Sequence, residues 1–345
     1  MNCKRIGLDI AKRVFQLHGV DEKDKIVLTR KLKRNEMKTF FSQLPPCEVV
    51  MEACATSHYW ARCLQGFGHK VKLLAAQHVK PYLQGGKNDA NDASAICEAA
   101  SRPRMKYVSI KTESQQAMQL VHRARAVAIR ARTALANEIR GTLAEFGIVC
   151  ESDGIHVTRN ALMATIHDAT QIWPVPLGDL LQLQADRLDS LNEQIERLDN
   201  MIKRHSQQDE QVKRLMEIDG VGLITASAIT CAATDVHQFK SARHFAAWLG
   251  LTPRQHSSGG KERLGSITKQ GDSYLRYLLV HGARSVVHHS KRKTDARSLW
   301  LQSMLLRRPY NVTAVAMANK VARIIWAMLT RGENYRPSKL ITVEM

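Results

Sequence analysis

The chain has 345 residues, of which 44% are hydrophobic and 24% are charged. This length exceeds what one compact core usually holds, so we expect two domains and a connector. Lysine and arginine (51) outnumber aspartate and glutamate (32), for a net charge of +19. Such a surface favours a polyanionic partner such as DNA or RNA, although a ribosome-like or merely soluble basic protein has the same balance.

The cysteines and the N-terminus limit the compartment. The seven cysteines are scattered, with no CxxC pair and no histidine at zinc spacing, which favours reduced thiols in a cytosol. The opening segment MNCKRIGLDIAKR is charged within four residues, and no run of 18 apolar residues occurs. We therefore expect no export signal and no membrane span.

Charge divides the chain into three parts. Residues 1–150 hold 25 basic and 13 acidic residues, residues 151–210 hold 5 and 11, and residues 211–345 hold 21 and 8. This pattern predicts two basic domains joined by an acidic connector.

Strand-like and helix-like patterns alternate in the first hundred residues. The segments KRIGLDIA, VFQLHGVD, IVLTRKL, CEVVMEA and KVKLLAA are typical of strands, and EMKTFFSQL and HYWARCLQGFG are typical of helices. Interleaved strands and helices predict a layered α/β domain.

Two long helices are predicted next. One runs from Thr112 to about Phe146 and carries five arginines, which suit either a phosphate-facing surface or a solvated face. The other spans Asp179 to Lys203, where leucines and isoleucines recur at spacings of mostly three and four. This seam fits a coiled coil or an amphipathic helix on a globular core equally well.

The remainder is predicted to be mostly helical. In RLMEIDGVGLITASAI, Gly220 and Gly222 lie between two helical stretches, the pattern of a helix-hairpin-helix, whose backbone N–H groups can approach a phosphate. A plain helix–helix turn has the same pattern. SARHFAAWLGL predicts a helix, TPRQHSSGGKERLGSITKQGD a loop, and residues 273–288 and 312–331 two further helices.

Four acidic residues stand out. Asp89 and Asp92, in KNDANDAS, lie at the predicted start of a helix, where aspartates commonly cap the helix and oppose its dipole. Asp9 and Glu52 each end an apolar strand, where a carboxylate is costly to desolvate unless it is paired or bound to metal. Residues at i and i+3 share a helix face, so all four acids could form an oxygen cage for Mg²⁺ in a phosphodiester-cutting site. A strand Asp, a later strand Glu and a helix Asp pair resemble the arrangement of RNase H-like folds, including RuvC-type resolvases.

Four separated motifs carry a closer resemblance. They are IGLDIAK, VVMEACATSHYWA, KNDANDASAICEA and AAWLGLTPRQHSSGGKERLGSITKQGDSYLR. The chain resembles the DEDD-type transposases of bacterial insertion sequences, the family that includes the Piv DNA invertase. The resemblance extends from Ile6 to about Gly332 and is weakest over residues 151–210. Within that family the chain is most similar to the subgroup with subterminal inverted repeats.

The resemblance implies a fold and a domain plan. We expect an α/β RNase H-like (RuvC-like) domain over 1–150 that includes the basic long helix, and an acidic helical or coiled-coil connector over 151–210. A mostly α-helical transposase domain over 211–345 would then contain the helix-hairpin-helix and the serine loop.

The resemblance also implies an active site. The family's metal-binding acids fall on Asp9, Glu52, Asp89 and Asp92, and its serine nucleophile falls on Ser258, beside Gly259; a shifted loop would present Ser257 instead. Metal, Mg²⁺ or Mn²⁺, would polarise the scissile phosphate and activate the serine for transesterification. On chemical grounds, nucleic acid could be contacted by cations in and just after the loop and by the glycine turn: Lys261, Arg263, Lys269, Arg276, Gly220 and Gly222. An ordinary basic surface fits each of the four cations equally well.

The implied partners and location follow. The partners are DNA at the element ends, junction or target, and a guide RNA encoded by the element. Further copies of the chain would form a dimer or tetramer through the leucine and isoleucine seam of the acidic connector, Asp179 to Lys203. The expected location is the bacterial cytoplasm, at the nucleoid.

Three other functions fit part of the pattern. A hydrolytic RuvC-like Holliday-junction nuclease would use the same carboxylates with water as the nucleophile. A sugar-kinase-like phosphotransferase shares the GLDIAK opening, but a later Gly-rich adenosine motif is not found. A DNA-binding architectural protein would bind without metal and without cutting.

Overall fold

The coordinates are a computed structural model that describes residues 3–86, 88–103, 105–168, 170 and 172–336. The chain forms two compact units, Met1–Thr112 and Glu113–Met345. Lys87, the first residue of the KNDANDAS motif, lies outside the described residues. The division at residues 150 and 210 stays a prediction.

A six-stranded sheet organises the first unit, in the order β3-β2-β1-β4-β5-β6. Its strands are β1 (Arg5–Ile10), β2 (Val14–Val20), β3 (Ile26–Lys33), β4 (Glu48–Glu52), β5 (Lys70–Leu74) and β6 (Tyr107–Val108). The first three pair antiparallel, β4 runs parallel to both β1 and β5, and β6 is antiparallel to β5. The five strands expected from the sequence are confirmed, and the two-residue strand β6 is additional.

Helices cover both faces of this sheet. They are α1 (Met37–Gln43), α2 (Ser57–Gly66), α3 (Ala76–Val79) and α4 (Asp89–Ser101), with a 3₁₀ turn over Lys80–Tyr82. Because strand side chains alternate between faces, Leu8 and Met51 pack in the same cluster as residues of α1 and α2. Val50 faces the other way and packs with Ile96 of α4. The result is a mixed α/β unit whose sheet topology is compatible with an RNase H-like fold.

The second unit is mainly helical. Its helices are α5 (Glu113–Glu145), α6 (Ile155–Ile166), α7 (Val175–Ser206), α8 (Glu210–Met216), α9 (Leu223–Ala232), α10 (Ala242–Trp248), α11 (Ser273–Ser290), α12 (Ala296–Leu305) and α13 (Tyr310–Arg331). A 3₁₀ turn covers Val236–Gln238, and a two-stranded sheet joins β7 (Pro253–Gln255) to β8 (Leu264–Ile267). The prediction of a mostly helical C-terminal region is confirmed.

The heptad seam packs within the chain. Leu181, Leu188, Ile195 and Ile202, spaced by seven residues along α7, are buried, and the first two share a core cluster with Leu135 and other residues of α5. Successive polar contacts join Arg125 to Asp199, Arg132 to Asn192 and Glu138 to Gln184, so α5 and α7 run antiparallel. The seam that the sequence assigned to contact between subunits is therefore covered by a helix of the same chain.

Three of the five arginines on α5 contact the neighbouring helices α6 and α7. Arg125 forms an ion pair with Asp199, Arg132 donates to Asn192 at 3.1 Å, and Arg140 donates to Thr158 at 2.9 Å. Arg123 and Arg130 are exposed. The arginine-rich pattern of this helix thus reflects helix–helix contacts as much as a charged outer face.

The largest core of the second unit surrounds α13. This helix buries eight residues, among them Thr313, Met317, Val321 and Ile325. In the described residues it is the one helix long and apolar enough to cross a membrane by length and composition. The core helix of a soluble protein passes the same test, and the packing of α13 against α10 and α11 accounts for its apolar composition.

Candidate metal centre and serine hairpin

Two neighbouring parallel strands place the first pair of acids. Leu8 of β1 lies beside Met51 of β4, so the next residues, Asp9 and Glu52, lie side by side near the carboxyl ends of these strands. Both project from the face opposite Leu8 and Met51, which is the face that α4 covers. Both side chains are half-buried.

A glycine in β1 brings α4 close to the sheet. A Cβ added at Gly7 would lie 2.2 Å from the carbonyl oxygen of Ala93 and 2.7 Å from the backbone nitrogen of Cys97. Gly7 and Asp9 point to the same face of the strand, two residues apart. The missing side chain at Gly7 therefore lets the first turns of α4 lie directly over Asp9.

The start of α4 presents the second pair of acids. The Asn88 side chain accepts a hydrogen bond of 2.9 Å from the backbone N–H of Asn91 and so caps the helix. Asp89 and Asp92 follow in the first turn, where the positive end of the helix dipole favours their charge. The capping role that the sequence left open for the aspartates belongs to Asn88.

The structure brings three of the four predicted acids together. One carboxylate oxygen each from Asp9, Asp89 and Asp92 lies within 4.8 Å of the other two. Glu52 is outside this set, but its charge contributes to the raised pKa of Asp9, and the charge of Asp92 contributes to the raised pKa of Glu52. The cluster therefore consists of a three-carboxylate group with Glu52 beside it.

The electrostatics of the cluster show crowded negative charge. Burial, and then the charges of Asp92, Asp89 and Glu52, raise the pKa of Asp9 to about 6. Burial and the charge of Asp92 also raise the pKa of Glu52. Carboxylates that resist ionisation in this way gain from a bound cation, which removes their mutual repulsion.

The donor set fits a hard divalent cation. Mg²⁺ binds oxygen ligands at 2.0–2.1 Å, so oxygens on opposite sides of one ion are about 4 Å apart. Oxygens within 4.8 Å of one another need only small side-chain adjustments to meet this spacing. Asp9, Asp89 and Asp92 can therefore hold such an ion, with Glu52 available to a second ion or to water.

The predicted serine lies at the tip of a β-hairpin in the second unit. The sequence predicted a loop over Thr252–Asp272, but residues 253–255 and 264–267 pair as β7 and β8, and this prediction is corrected. The Lys261 N–H donates to the Ser258 carbonyl at 3.1 Å, and the two residues between them, Gly259 and Gly260, have φ of 56° and 76°. Positive φ at both central positions defines a type I′ turn, which glycine adopts without strain.

The two candidate serines differ in their hydrogen bonds. The Ser257 hydroxyl accepts from the Gln255 side chain at 3.0 Å and from the Arg263 N–H at 3.2 Å. Among the described residues, the Ser258 side chain has no hydrogen-bond partner, and the residue is exposed. Ser257 therefore contributes to the hairpin structure, whereas the Ser258 hydroxyl is available for chemistry.

The four cations named with this loop have different surroundings. Lys261, Arg263 and Lys269 are exposed. The Arg276 guanidinium donates to the carbonyl oxygens of Leu249 and Gln270 at 3.1 and 3.0 Å, and so secures the base of the hairpin. A contact between Arg276 and nucleic acid stays a prediction, as do those of the other three.

The glycine turn between α8 and α9 is packed against the protein. A Cβ added at Gly220 would lie 2.9 Å from the carbonyl oxygen of Gly282 in α11, whereas one at Gly222 would meet nothing within 4 Å. Gly220 has φ of 85° and Gly222 precedes the first residue of α9. The need for glycine at 220 is thus explained by helix packing, and phosphate binding by this turn stays a prediction.

The fold and the acidic cluster match a defined class of enzyme. Residues 6–148 match a family model for DEDD transposases of the IS110 type, described as "Transposase". Residues 212–298 match a second model, described as "Transposase IS116/IS110/IS902 family". The chain belongs to this family and is an insertion-sequence transposase, an enzyme that acts on DNA.

Similar proteins cover the full length. The chain is 54% identical to the "Probable family 20 transposase" of Pseudomonas aeruginosa, over 98% of this chain and 100% of that protein. It is 42% identical to the transposase for insertion sequence element IS1111A of Coxiella burnetii, over 97% and 92% of the two chains. It is 39% identical to the transposase for element IS1328 of Yersinia enterocolitica, over 96% and 98%.

Family membership suggests divalent metal use, and the carboxylate cluster provides a candidate site for it. Three supporting residues were missed by sequence reasoning: Gly7, which admits α4, Asn88, which caps it, and Arg276 in its role at the hairpin base. Asn88 carried a sequence signal, because Asn is a common N-cap residue. Gly7 carried one as well, because an isolated glycine inside a strand pattern indicates a bulge or a close backbone approach.

Proposed function

We propose that this transposase cuts and rejoins DNA through a covalent phosphoserine intermediate at Ser258, in a composite centre with the carboxylates of Asp9, Glu52, Asp89 and Asp92. The observations that support it best are the three-carboxylate cluster in the first unit and, in the second unit, a Ser258 hydroxyl at a hairpin tip that has no hydrogen-bond partner among the described residues. The acids and the hydroxyl come from the two units of one chain or from neighbouring chains of an oligomer.

The four carboxylates hold Mg²⁺ or Mn²⁺ in this proposal. A divalent ion supplies Lewis-acid polarisation of the phosphate and lowers the pKa of a bound hydroxyl. The chain's own contribution is to hold the acids of β1, β4 and α4 close together, with Asp9, Glu52 and Asp92 half-buried and Asp89 exposed. The raised pKa values of Asp9 and Glu52 reflect, after burial, the repulsion that such binding relieves.

The serine acts as the nucleophile. A bond forms between the Ser258 oxygen and phosphorus while the bond from phosphorus to a deoxyribose oxygen breaks; the serine proton passes to solvent, and the released oxygen is protonated. One phosphodiester replaces another, so the step is reversible without ATP. Attack on the adduct by the hydroxyl of a different DNA end joins the new strands.

Positive groups hold the strands. Lys261 and Arg263 flank the hairpin tip and Lys269 lies at its base, where they can neutralise phosphates of the bound DNA. Arg276 and the glycine turn at Gly220 and Gly222, in a helix-hairpin-helix role, belong to the same proposal. Arg276 has the strongest structural alternative, because it already binds two backbone carbonyls.

The remaining features rest on the family resemblance. We infer that residues 211–345 form a serine transposase domain like that of the Piv-type recombinases, in the subgroup with subterminal inverted repeats. A guide RNA encoded by the element would select the DNA sites, and a dimer or tetramer would hold several DNA ends together. Because α5 covers the buried α7 seam, such an oligomer would use the outer faces of these helices.

The test compares two serine variants on DNA carrying the element junction, with Mg²⁺ and the flanking transcript present. Ser258→Ala should abolish strand cleavage, whereas Ser257→Ala, which loses only hairpin hydrogen bonds, should retain it in part. Cleavage by Ser258→Ala at the wild-type rate would contradict the proposal and indicate a hydrolytic RuvC-like nuclease with water as the nucleophile.

A further inference from the structure

A cationic groove lies between α10 and α13 in the second unit, distinct from the serine hairpin. Its volume is about 650 Å³. The lining residues come from the start of α10 and from one face of α13: Ser241, Ala242, Arg243, Lys320, Arg323, Ile324 and Ala327. Three of them are cationic and none is acidic, so the groove has a strongly positive wall.

The positive charge of this groove has no carboxylate partner among the described residues. In the part of the chain that the structure describes, Arg243, Lys320 and Arg323 have no carboxylate within 4.0 Å. The neighbouring Arg297, by contrast, pairs with Asp219 at 2.5 Å and with Asp295 at 3.8 Å. Lys320 and Arg323 are three residues apart on one helix face, where like charges repel each other.

Lys320 is partly buried and lies near two other positive charges. Its ammonium group lies 4.7 Å from the centre of the Trp300 ring. Burial, followed by the charges of Arg323 and Arg297, lowers the pKa of Lys320. An anion bound in the groove would remove this unfavourable crowding, just as a cation would at the acidic cluster of the first unit.

The shape and composition of the groove favour a polymer over a small anion. Arg243 and Arg323 are exposed, so the groove is open to a long ligand. Ala242, Ile324 and Ala327 give it an apolar wall against which sugar rings can pack. Alternating phosphates and sugars are the repeat of a nucleic-acid backbone, which positive side chains bind without reading sequence.

We infer that this groove binds the sugar–phosphate backbone of the nucleic acid on which the transposase acts, with Lys320, Arg323 and Arg243 on successive phosphates. The inference rests on the proposed function, because it takes nucleic acid as the ligand. It adds a binding site that contains neither the serine nor the carboxylates.

The test measures binding in a Ser258→Ala background, so that strand cleavage does not contribute. Labelled duplex DNA with the element junction, and separately the flanking transcript, would be titrated at salt concentrations from 50 to 200 mM. The groove variant is Lys320→Met with Arg323→Met, which removes two charges and keeps unbranched side chains at both positions. The matched control is Arg187→Met with Arg197→Met, which removes two exposed charges from the acidic helix α7.

The groove variant should bind about 10- to 100-fold more weakly at low salt. The slope of log K against log salt should become shallower by about 2, because each lost phosphate contact removes about 0.9 from it for duplex DNA. The control should keep the parent slope. Loss of binding to DNA, to RNA or to both supports the inference and identifies the occupant.

The inference would be overturned if the groove variant and its Ser258→Ala parent bound both ligands with equal affinity and equal salt slope. A groove that binds only inorganic phosphate would give this result. Circular dichroism and thermal unfolding must show that the groove variant is folded. Failure of the proposed function gives a different result, because it is seen as DNA cleavage by Ser258→Ala with an intact groove, whereas the inference is tested by binding alone.

Discussion

Asp9 is the residue on which the metal-centre proposal depends most. Its folded pKa of about 6 exceeds its ordinary value of 3.8, so its contribution to stability is complete below pH 3.8 and is lost as pH rises through 6. At pH 7 the cluster therefore destabilises the metal-free protein.

Asp9→Asn should raise the stability of the metal-free protein at pH 7 by about 1 kcal/mol, after discounting for solvent screening of these half-exposed carboxylates. The same variant should lose the increase in melting temperature that Mg²⁺ or Mn²⁺ gives the wild type. Glu98→Gln, on the exposed side of the same helix, should keep that increase. A full metal response in Asp9→Asn would remove Asp9 from the site.

His122 provides a separate test in the second unit. Its ring is 2% exposed, with Nδ1 3.3 Å from the Tyr274 hydroxyl and Nε2 3.1 Å from the Ser227 hydroxyl. Burial, and then the charge of Arg125, lower its pKa to about 4. The unfolded chain takes up the proton near pH 6.5 while the folded chain does not, so stability falls as pH drops from 6.5 towards 4.

Between pH 7.5 and pH 5, this histidine alone should reduce the free energy of unfolding by about 2 kcal/mol. His122→Gln keeps a polar side chain but cannot titrate. Urea titrations at the two pH values should therefore show a smaller pH-dependent loss in the variant, whatever its absolute stability. Equal losses in the two proteins would mean that the ring is charged or solvated in the folded state.

Gly7 acts at the scale of the element because it sets the distance between α4 and the sheet. Gly7→Ala places a methyl group 2.2 Å from the Ala93 carbonyl oxygen, so α4 must move away from β1 and carry Asp89 and Asp92 with it. We expect a loss of stability of about 1–3 kcal/mol from this overpacking, together with a weaker metal response.

The control is Gly66→Ala at the end of α2, where an added Cβ meets nothing within 4 Å. That change should be neutral or stabilising by up to about 1 kcal/mol, because alanine is the better helix former. Both variants can be compared by thermal unfolding with and without Mn²⁺. An unchanged metal response in Gly7→Ala would show that the aspartates do not depend on this close approach.

Sequence patterns predicted the helices and strands better than they predicted which of these elements pack against each other. Strands β1 to β5 and the long helices have clear apolar periodicity, and all were expected. The hairpin of β7 and β8 was not, because its residues are almost all exposed and so carry no alternation between buried and solvent-facing positions. Helices α6 and α12 also escaped notice.

The heptad seam illustrates the same limit. Periodicity in α7 indicated that one face is buried, but it could not indicate which helix covers that face. The antiparallel partner is α5, more than thirty residues earlier in the chain. Pairing between distant elements is decided by tertiary packing, to which a local pattern gives no access.

At the scale of the whole molecule, the net charge of the chain is opposite to that of its DNA substrate. The net charge of +19 suits an enzyme whose substrate is a polyanion, and the acids proposed to bind metal are a small negative cluster in this basic protein. Family resemblance and physical reasoning both indicated the four acids Asp9, Glu52, Asp89 and Asp92, whereas Ser258 came from the resemblance alone. Physical reasoning alone marked the acids as costly to bury, but it gave no reason to select one exposed serine in a glycine-rich turn.

The central claim is that the Ser258 hydroxyl becomes covalently linked to DNA with the help of the acidic cluster. The most direct measurement is mass analysis of the peptide–nucleotide adduct after the transposase reacts with junction DNA in the presence of Mg²⁺ and the flanking transcript. We expect a phosphodiester on Ser258 that is absent in Asp9→Asn and absent without divalent metal. Efficient strand cutting with no adduct, or an adduct on a different side chain, would contradict it.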